Sequence, residues 1–443
     1  MVAITIDDYL EADATALAAM VRRGDVSASE LHTLAAQRYA EIDPQIHAVV
    51  EWYAEPDPIA TTDGVLAGVP FLRKDYGSTE AGRLVEMGSR LARGVRAAYT
   101  SPYFARLRAA GAHVLGRTAV PELIQHGSTE SHVFGQTRNP LDHTRSAGGS
   151  SGGAAAAVAA GVVPAAHASD CAGSIRIPAA ACGLFGLKPS RRRVPWPDGG
   201  WGGIAEEFVV CRSLRDVGLF LDVLGDGPFF DSAPPTGRWR IAVNAEHWGG
   251  GVVDDAVVAA VDAASERLRA AGHVVVPVPA PVDDARLFAT FPALFARWVA
   301  ADVDRLVAET GRPADGSTLE PATLAIVDAA RRLSGADITA AQIAQARLAS
   351  QLAAALDGVD ALLSPTIARP TIPLGHLDGE SGELDVYAER NGEYFPYSYA
   401  FNVAGWPALA VPVAGQRDDC PGSVQIAAPW GTERQLMAIA ELL

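Results

Sequence analysis

The sequence predicts a layered α/β fold, and three observations carry that expectation. Helix-forming and β-branched stretches alternate from residue 65 onward. The 443 residues are 49% hydrophobic, enough to bury a large core and to exclude a disordered chain. No stretch rich in Gly, Ser or Pro divides the chain. Although its length is about three times the ~150 residues of an average domain, one domain over residues 1–443 is the simplest organisation.

Two helices open the chain. DATALAAMVRRG ends at Gly24, and a second runs from Ser27 to about Ile42, where Ser27 and Glu30 have capping-box spacing and Pro44 follows. They make residues 1–60 an N-terminal helical arm. GVPFLRKDY then reads as a strand, 101–110 as a helix, AHVLGRT as a strand, an Ala-rich run after residue 150 as a helix and VVPAAHAS as a strand. Further on come the strand RIAVNA, a helix over 253–271, a variable helical block at about 284–350, strands ALLSPTIA and ALAVPVAG, and a last helix near 431–442. The hexapeptide RLRAAG occurs at 106–111 and 267–272, each time before a strand-like segment. It marks either an internal duplication or a convenient helix ending with glycine in the C′ position.

Charge and composition narrow the function. Acidic residues outnumber basic ones 52 to 36, a net charge of −16, and the basic cluster Arg191, Arg192, Arg193 is too small to track phosphates, so nucleic acid is not an expected partner. The longest apolar run, 154–168, is mostly Ala and is broken by Gly161, Pro164 and His167, which makes a poor membrane span. The N-terminal MVAITIDDYLEAD lacks a signal-peptide pattern, and the expected location is cytoplasmic. Cys171, Cys182, Cys211 and Cys420 show no CxxC spacing, so buried free thiols are expected rather than a disulfide framework or a zinc cluster.

Of the 36 basic residues only Lys74 and Lys188 are lysines, leaving 34 arginines. Arginine cannot surrender its proton, whereas a buried lysine can have its pKa lowered toward neutrality. A lysine kept in so arginine-biased a chain is either wanted for its neutral amine or present by chance. Lys74 ends the apolar strand GVPFLRK, where its side chain can point into a site, and is the candidate general base. Lys188, beside Pro189 and three arginines, is expected to pack its stem and expose its charge or donate to nearby carbonyls.

The loop AGGSSGG at 147–153 runs into AAAAVAAG. A Gly-rich loop entering a helix supplies backbone N–H donors, for a phosphate or for an oxyanion. The phosphate reading wants a Lys after the glycines, and alanines follow instead. GGSSG also fits the nucleophile elbow of α/β-hydrolases, but the preceding NPLDHTRSA is polar and loop-like where that elbow needs a buried strand. Downstream, Ser174 in ASDCAGSIRIPAAACGLFGLKPS follows a small-residue loop whose N–H groups can converge on one oxygen, the geometry acyl transfer needs. Alternatively Ser174 is only a helix N-cap.

Together these pieces resemble the amidase signature family. Residues 148–190 follow its Gly/Ser-rich core motif nearly end to end, with 24 positions from Ser150 to Ser174 and Lys74 upstream. Weaker similarity runs through PELIQHGSTESHVFGQTRNP, FVVCRSLRDVG, DALLSPTIARP and FNVAGWPALAVPV, and is least in 284–350. ACGLFGLKPSRRRVP looks most like the bacterial branch that includes 6-aminohexanoate cyclic-dimer hydrolase.

The resemblance implies an α/β/α sandwich with a large mixed central sheet surrounded by helices. It implies a hydrolase of linear or cyclic carboxylic amides that uses neither metal nor cofactor and works as a monomer or homodimer. By the same analogy Ser174 is the nucleophile, Ser150 the middle member of the triad after a cis peptide bond with Gly149, and Lys74 the base. The N–H groups of Cys171, Ala172, Gly173 and Ser174 form the oxyanion hole, Asp170 and Arg176 brace the loop, and Ile124 and Gln125 line the substrate site. Ala172 and Cys171 depart from the usual family residues, which bears on rate or substrate range. Tyr76, Trp201 and Trp298 are either core or acyl-group contacts. Since Lys74 must be neutral and the ordinary lysine pKa is ~10.4, activity should rise toward alkaline pH. The rival readings are an esterase using Ser150 and an amidotransferase-like subunit or non-catalytic homologue.

Overall fold

The alternating segments fold into strands and helices whose order can be followed in the computed structural model, which describes residues 4–196, 200–226, 237–282, 284–417 and 420–443. Of residues 284–291, 414–417, 420 and 421 only the backbone is described. In chain order the strands are β1 (Val49–Trp52), β2 (Pro70–Lys74), β3 (His113–Thr118), β4 (Glu130–Ser131), β5 (Gly135–Gln136), β6 (Arg138–Asn139), β7 (Asp142–Ser146), β8 (Ala165–Asp170), β9 (Phe185–Lys188), β10 (Glu206–Cys211), β11 (Arg240–Val243), β12 (Val274–Pro277), β13 (Ala361–Pro365), β14 (Ala408–Arg417) and β15 (Cys420–Ala427).

Among the described residues, eleven of these form one mixed sheet in the order β1-β3-β2-β8-β10-β9-β14-β15-β13-β11-β12, while β4–β5 and β6–β7 are small separate ribbons. The sheet has two parallel flanks, β3-β2-β8 and β13-β11-β12, joined through an antiparallel centre. Every residue of β2, β3, β8, β10 and β13 is buried, which requires cover on both faces. Helix Gly152–Ala159, almost all Gly and Ala, packs on the β3-β2-β8 flank; helices Asp255–Ala270 and Arg176–Cys182 pack on the centre and the other flank. This is the α/β/α architecture that the resemblance implied.

The duplicated RLRAAG does the same job twice. It ends helices Pro102–Ala109 and Asp255–Ala270, places Gly111 and Gly272 at φ 95 and 92, and leads into β3 and β12, one in each parallel flank. Only glycine adopts that φ without strain, so a helix stop accounts for the repeat.

Three readings of the N-terminal arm need adjusting. A short helix, Ile6–Glu11, precedes the two expected ones. The second of those extends to Ile46 with Pro44 inside its last turn, because His47 takes the left-handed cap position and its N–H still reaches Asp43. The arm also ends in an edge strand, β1, antiparallel to β3. It is anchored by Asp216, which accepts the N–H groups of Ala14 and Thr15 at 2.8 and 2.9 Å, and by Tyr9 and Arg38, which donate to the Val162 and Ala160 carbonyls at the end of helix Gly152–Ala159. The variable block is three helices, Asp284–Thr310, Pro321–Arg332 and Gly335–Ala355. Not anticipated were strands β9, β10 and β15 and helices Leu214–Leu224, Leu384–Tyr394 and Tyr399–Ala404. The expected loop before Ser150 instead carries β7. Cys171, Cys182 and Cys211 are free and buried, while the Cys420 side chain lies outside the described part.

Candidate active site

Lys74 is the last residue of β2 and Asp170 the last of its parallel neighbour β8, so both point from the carboxyl ends of adjacent strands, where α/β sheets commonly hold their ligands. The Lys74 side chain is wholly buried. Its Nζ lies 2.8 Å from Ser150 Oγ, 2.8 Å from Ser151 Oγ and 2.9 Å from Ser169 Oγ, with the Ser169 carbonyl at 3.4 Å. Burial lowers the amine to about 7, although Asp170, Glu207 and Cys171 pull the other way. Near neutral pH a large fraction of Lys74 is therefore a free amine, with a lone pair to accept one hydroxyl proton and two N–H groups to donate.

Ser150 and Ser151 sit in the glycine loop, where the Gly149–Ser150 peptide bond is cis. Gly149 has no room for a side chain, since a Cβ there would lie 2.0 Å from the Ser128 carbonyl oxygen. Thr129 ties the loop together: its hydroxyl donates to the Gly148 carbonyl at 2.9 Å and accepts the Gly152 N–H at 3.0 Å. Ser151 occupies the N-cap position of helix Gly152–Ala159 without capping it, because its hydroxyl faces Lys74 instead.

The loop after β8 brings Ser174 to the same place, and the Ser174 carbonyl accepts the Ser151 N–H at 3.3 Å. Ser174 is partly exposed where Ser150 is buried. The following helix, Arg176–Cys182, is capped at Ile175 with no side-chain bond, so the N-cap alternative for Ser174 does not describe the structure. Asp170 organises this loop, accepting the Gly173 N–H at 2.8 Å and the Ile175 N–H at 3.3 Å. The Gly173 N–H is thus spent on Asp170, which departs from the expectation that it faces an oxyanion. The left-handed position also falls at Gly173, φ 120, where a Cβ would meet Ser398 Oγ at 2.7 Å, and not at Ala172. Alanine there is therefore tolerated.

Arg176 grips both Asp170 oxygens at 2.9 Å, and Asn402 and Gln425 complete a wholly buried network behind the loop. Burial would raise the Asp170 carboxyl, but the Arg176 charge and hydrogen bonds outweigh it and hold the group at about 2. Lys188, by contrast, does not expose its charge. It is buried in β9 and donates to the Pro189 carbonyl at 2.7 Å.

A cavity of about 130 Å³ opens beside Ser174, Cys171 and Ala172. Ile124 and Gln125 form part of its wall, together with Trp201, Phe295 and Ile326 and with Tyr387 and Asn391 from helix Leu384–Tyr394. The variable helical block thus supplies wall residues. Tyr76 and Trp298 line a second, neighbouring cavity that shares Trp201. Leu123 and Ile124 carry φ of 46 and 57, an unusual conformation for such side chains that presents Gln125 and His126 to the cavity. Burial raises the Cys171 thiol well above its ordinary range, so it is protonated. Ser151, Ser169, Thr129, Asn402 and His126 had no role in the sequence reading; the hydroxyls of GSS and the PELIQHGST segment were the available signals. Among the described residues, no group of three or more His, Cys, Asp or Glu is arranged to hold a metal ion, and no helix is long and apolar enough to cross a membrane.

The likeness to known proteins spans nearly the whole chain. The family model described as Amidase matches residues 34–437. The 6-aminohexanoate-cyclic-dimer hydrolase of Paenarthrobacter ureafaciens is 32% identical, over 97% of this chain and 94% of that protein. A glutamyl-tRNA(Gln) amidotransferase subunit of Thermus thermophilus is also 32% identical, over 95% and 94%. A solved structure of 6-aminohexanoate cyclic dimer hydrolase complexed with substrate superposes with a TM-score of 0.87 at 31% identity, covering 98% of this chain and 96% of the other.

Proposed function

The chain belongs to the amidase family and hydrolyses a carboxylic amide, and on that premise we propose that it does so through an acyl-enzyme on Ser174, with Lys74 and Ser150 as the proton relay. The observation that carries this reading is the buried Lys74 amine, lowered to about 7 and 2.8 Å from Ser150 Oγ. Neutral Lys74 accepts the Ser150 proton, and Ser150 takes the Ser174 proton as Ser174 Oγ attacks the amide carbon. The carbonyl oxygen becomes an oxyanion, held by the N–H groups of Cys171, Ala172 and Ser174. Gly173, whose N–H is engaged by Asp170, sets the turn rather than binding the oxyanion. As the C–N bond breaks, the relay runs backward and its proton goes to the leaving nitrogen, without which an amine leaves poorly. Water then repeats the attack on the ester and returns Ser174, giving carboxylate and amine.

Asp170 and Arg176 keep the loop in register, and Ile124 and Gln125 contact the substrate. The three described free thiols support a cytoplasmic, reducing setting. The reading takes residues 1–443 as a single amidase domain that acts on a small molecule as a monomer or homodimer.

A fluorophosphonate probe followed by peptide mass mapping should label Ser174. Ser174→Ala should abolish both labelling and turnover of an aryl, aliphatic, peptide and lactam amide panel. Label on Ser150, with turnover surviving in Ser174→Ala, would instead indicate an esterase-like arrangement. The likeness to a component of an amidotransferase favours a second reading, in which turnover of glutamine appears only when partner subunits are added. Turnover of the panel by the chain alone removes it.

A further inference from the structure

Behind the Lys74 backbone stand two wholly buried titratable side chains that the proton relay does not use, His167 of β8 and Glu207 of β10. The ladder between β2 and β8 pairs Phe71 with Ala165 and Leu72 with Ala166. Two residues on, the Lys74 N–H goes to a side chain, His167 Nδ1, at 3.3 Å. His167 Nε2 in turn lies 3.3 Å from Glu207 Oε1, and the same carboxylate takes the Ser78 N–H and the Ser78 hydroxyl. Gly77, at φ 87, allows that approach, since a Cβ there would stand 2.2 Å from Glu207 Oε1. The segment that carries the base is thus held at Lys74 by an imidazole and at Ser78 by a carboxylate.

Chemistry fixes the role of each atom. A main-chain N–H can only donate, so His167 Nδ1 accepts and Nε2 bears the proton given to Glu207, which as a carboxylate can only accept. Burial holds the His167 imidazole below its ordinary range although Glu207 pulls it up, so the ring is uncharged at neutral pH. Tyr103 and Phe104 pack on it with ring centres 4.7 and 5.3 Å away. Three ionisable groups face Lys74 from the elements around it: Asp170 of β8, Cys171 of the following loop and Glu207 of β10. Arg73, next to Lys74 on β2, donates to the Leu84 carbonyl. Asp170 is matched by Arg176, and the Cys171 thiol is protonated. Among the described residues no lysine or arginine makes an ion pair with Glu207, whose partners are Ser78 and the neutral His167.

Resting on the reading of Lys74 as the base, we propose that His167 and Glu207 are positioning residues for the hydrolysis: the imidazole fixes the Lys74 main chain so that Nζ stays among its three hydroxyls, and the unmatched Glu207 carboxylate sets the field in which the amine works. The test measures p-nitroanilide turnover and thermal unfolding of four variants. His167→Phe keeps the ring but neither hydrogen bond, and should lower kcat by about tenfold or more, as small misplacements of a reacting group do, with KM within about twofold. His167→Asn carries an oxygen about where Nδ1 lies and should recover most of that loss. His167→Gln, whose amide reaches about as far as Nε2, meets Glu207 but not the Lys74 N–H and should recover little. Glu207→Gln keeps the shape and removes the charge that favours the ammonium, so the midpoint of the acid limb of kcat/KM should move to lower pH by about half a unit.

A merely structural role predicts that kcat follows thermal stability across the His167 variants, whatever their reach to the Lys74 N–H, and that the midpoint stays in place in Glu207→Gln. Either result overturns the proposal, and where a His167 variant does not fold the Glu207→Gln midpoint decides alone. Lys74→Arg separates this from the relay itself. If that variant turns over the anilide near the wild-type rate, the base reading falls and the positioning role with it; if it is inactive while the His167 and Glu207 variants match wild type, only the positioning role falls.

Discussion

Lys74 and Lys188 are both wholly buried, each at the carboxyl end of its strand, and burial lowers the pKa of both. Their partners differ. Lys74 is surrounded by three hydroxyls at 2.8–2.9 Å, which serve an amine as well as an ammonium. Lys188 donates to the Pro189 carbonyl and feels the Glu206 carboxylate, with Glu433 farther along the same cluster, and burial in turn raises Glu206. Desolvation alone thus does not make a base. An amine becomes useful when what replaces water is neutral and can exchange protons, and becomes structural when what replaces water is a carboxylate.

Four experiments would break or sharpen that contrast. Lys74→Arg places a permanent cation among the hydroxyls and should lower kcat/KM by ~10²–10⁴, the usual worth of a general base; anilide turnover near wild type would remove Lys74 from the relay. Lys188→Met should leave kcat/KM within a few fold but destabilise the fold by about 1–3 kcal/mol, because the buried Pro189 carbonyl loses its donor and Glu206 its neighbouring cation. Thermal unfolding checks this, and adding Glu206→Gln should recover part of the loss.

The pH profile comes next. The Lys74 amine must be free, so kcat/KM should be flat above about 7 and fall tenfold per unit below it. This replaces the alkaline rise that an ordinary lysine would give, and a flat profile down to pH 5 with chemistry rate-limiting would contradict it. Thr129→Val, which removes the bridge between Gly148 and Gly152, should cost about 1 kcal/mol of stability and about tenfold in kcat with KM little changed, as expected for a residue that positions Ser150 rather than touching substrate.

Much of this was legible in the sequence, because it lives in local pattern. The alternation of helices and strands, the RLRAAG helix stops, and the serines spaced along one glycine-rich segment are features of neighbouring residues. The scarcity of lysine singled out Lys74 before any contact was known. Strands such as β9 and β10 escaped because FGLK and EEFVVC are short and carry no period that separates them from loop or helix.

The remainder is made by residues far apart in the chain. Ser169 reaches Lys74 across 95 positions and Asn402 reaches Asp170 across 232, and no local rule foretells such meetings. The sequence alone settled the α/β class and singled out the glycine-rich segment and the Lys74 strand that meet in the candidate site, since propensity, periodicity and composition act over a few residues. Tertiary structure decided that Lys74 loses its water and so titrates near neutrality, that Asp170 claims the Gly173 N–H, and that His167 and Glu207 stand behind Lys74. Burial and hydrogen-bond partnership are properties of the packed molecule, and they exist only once distant segments have displaced the solvent between them.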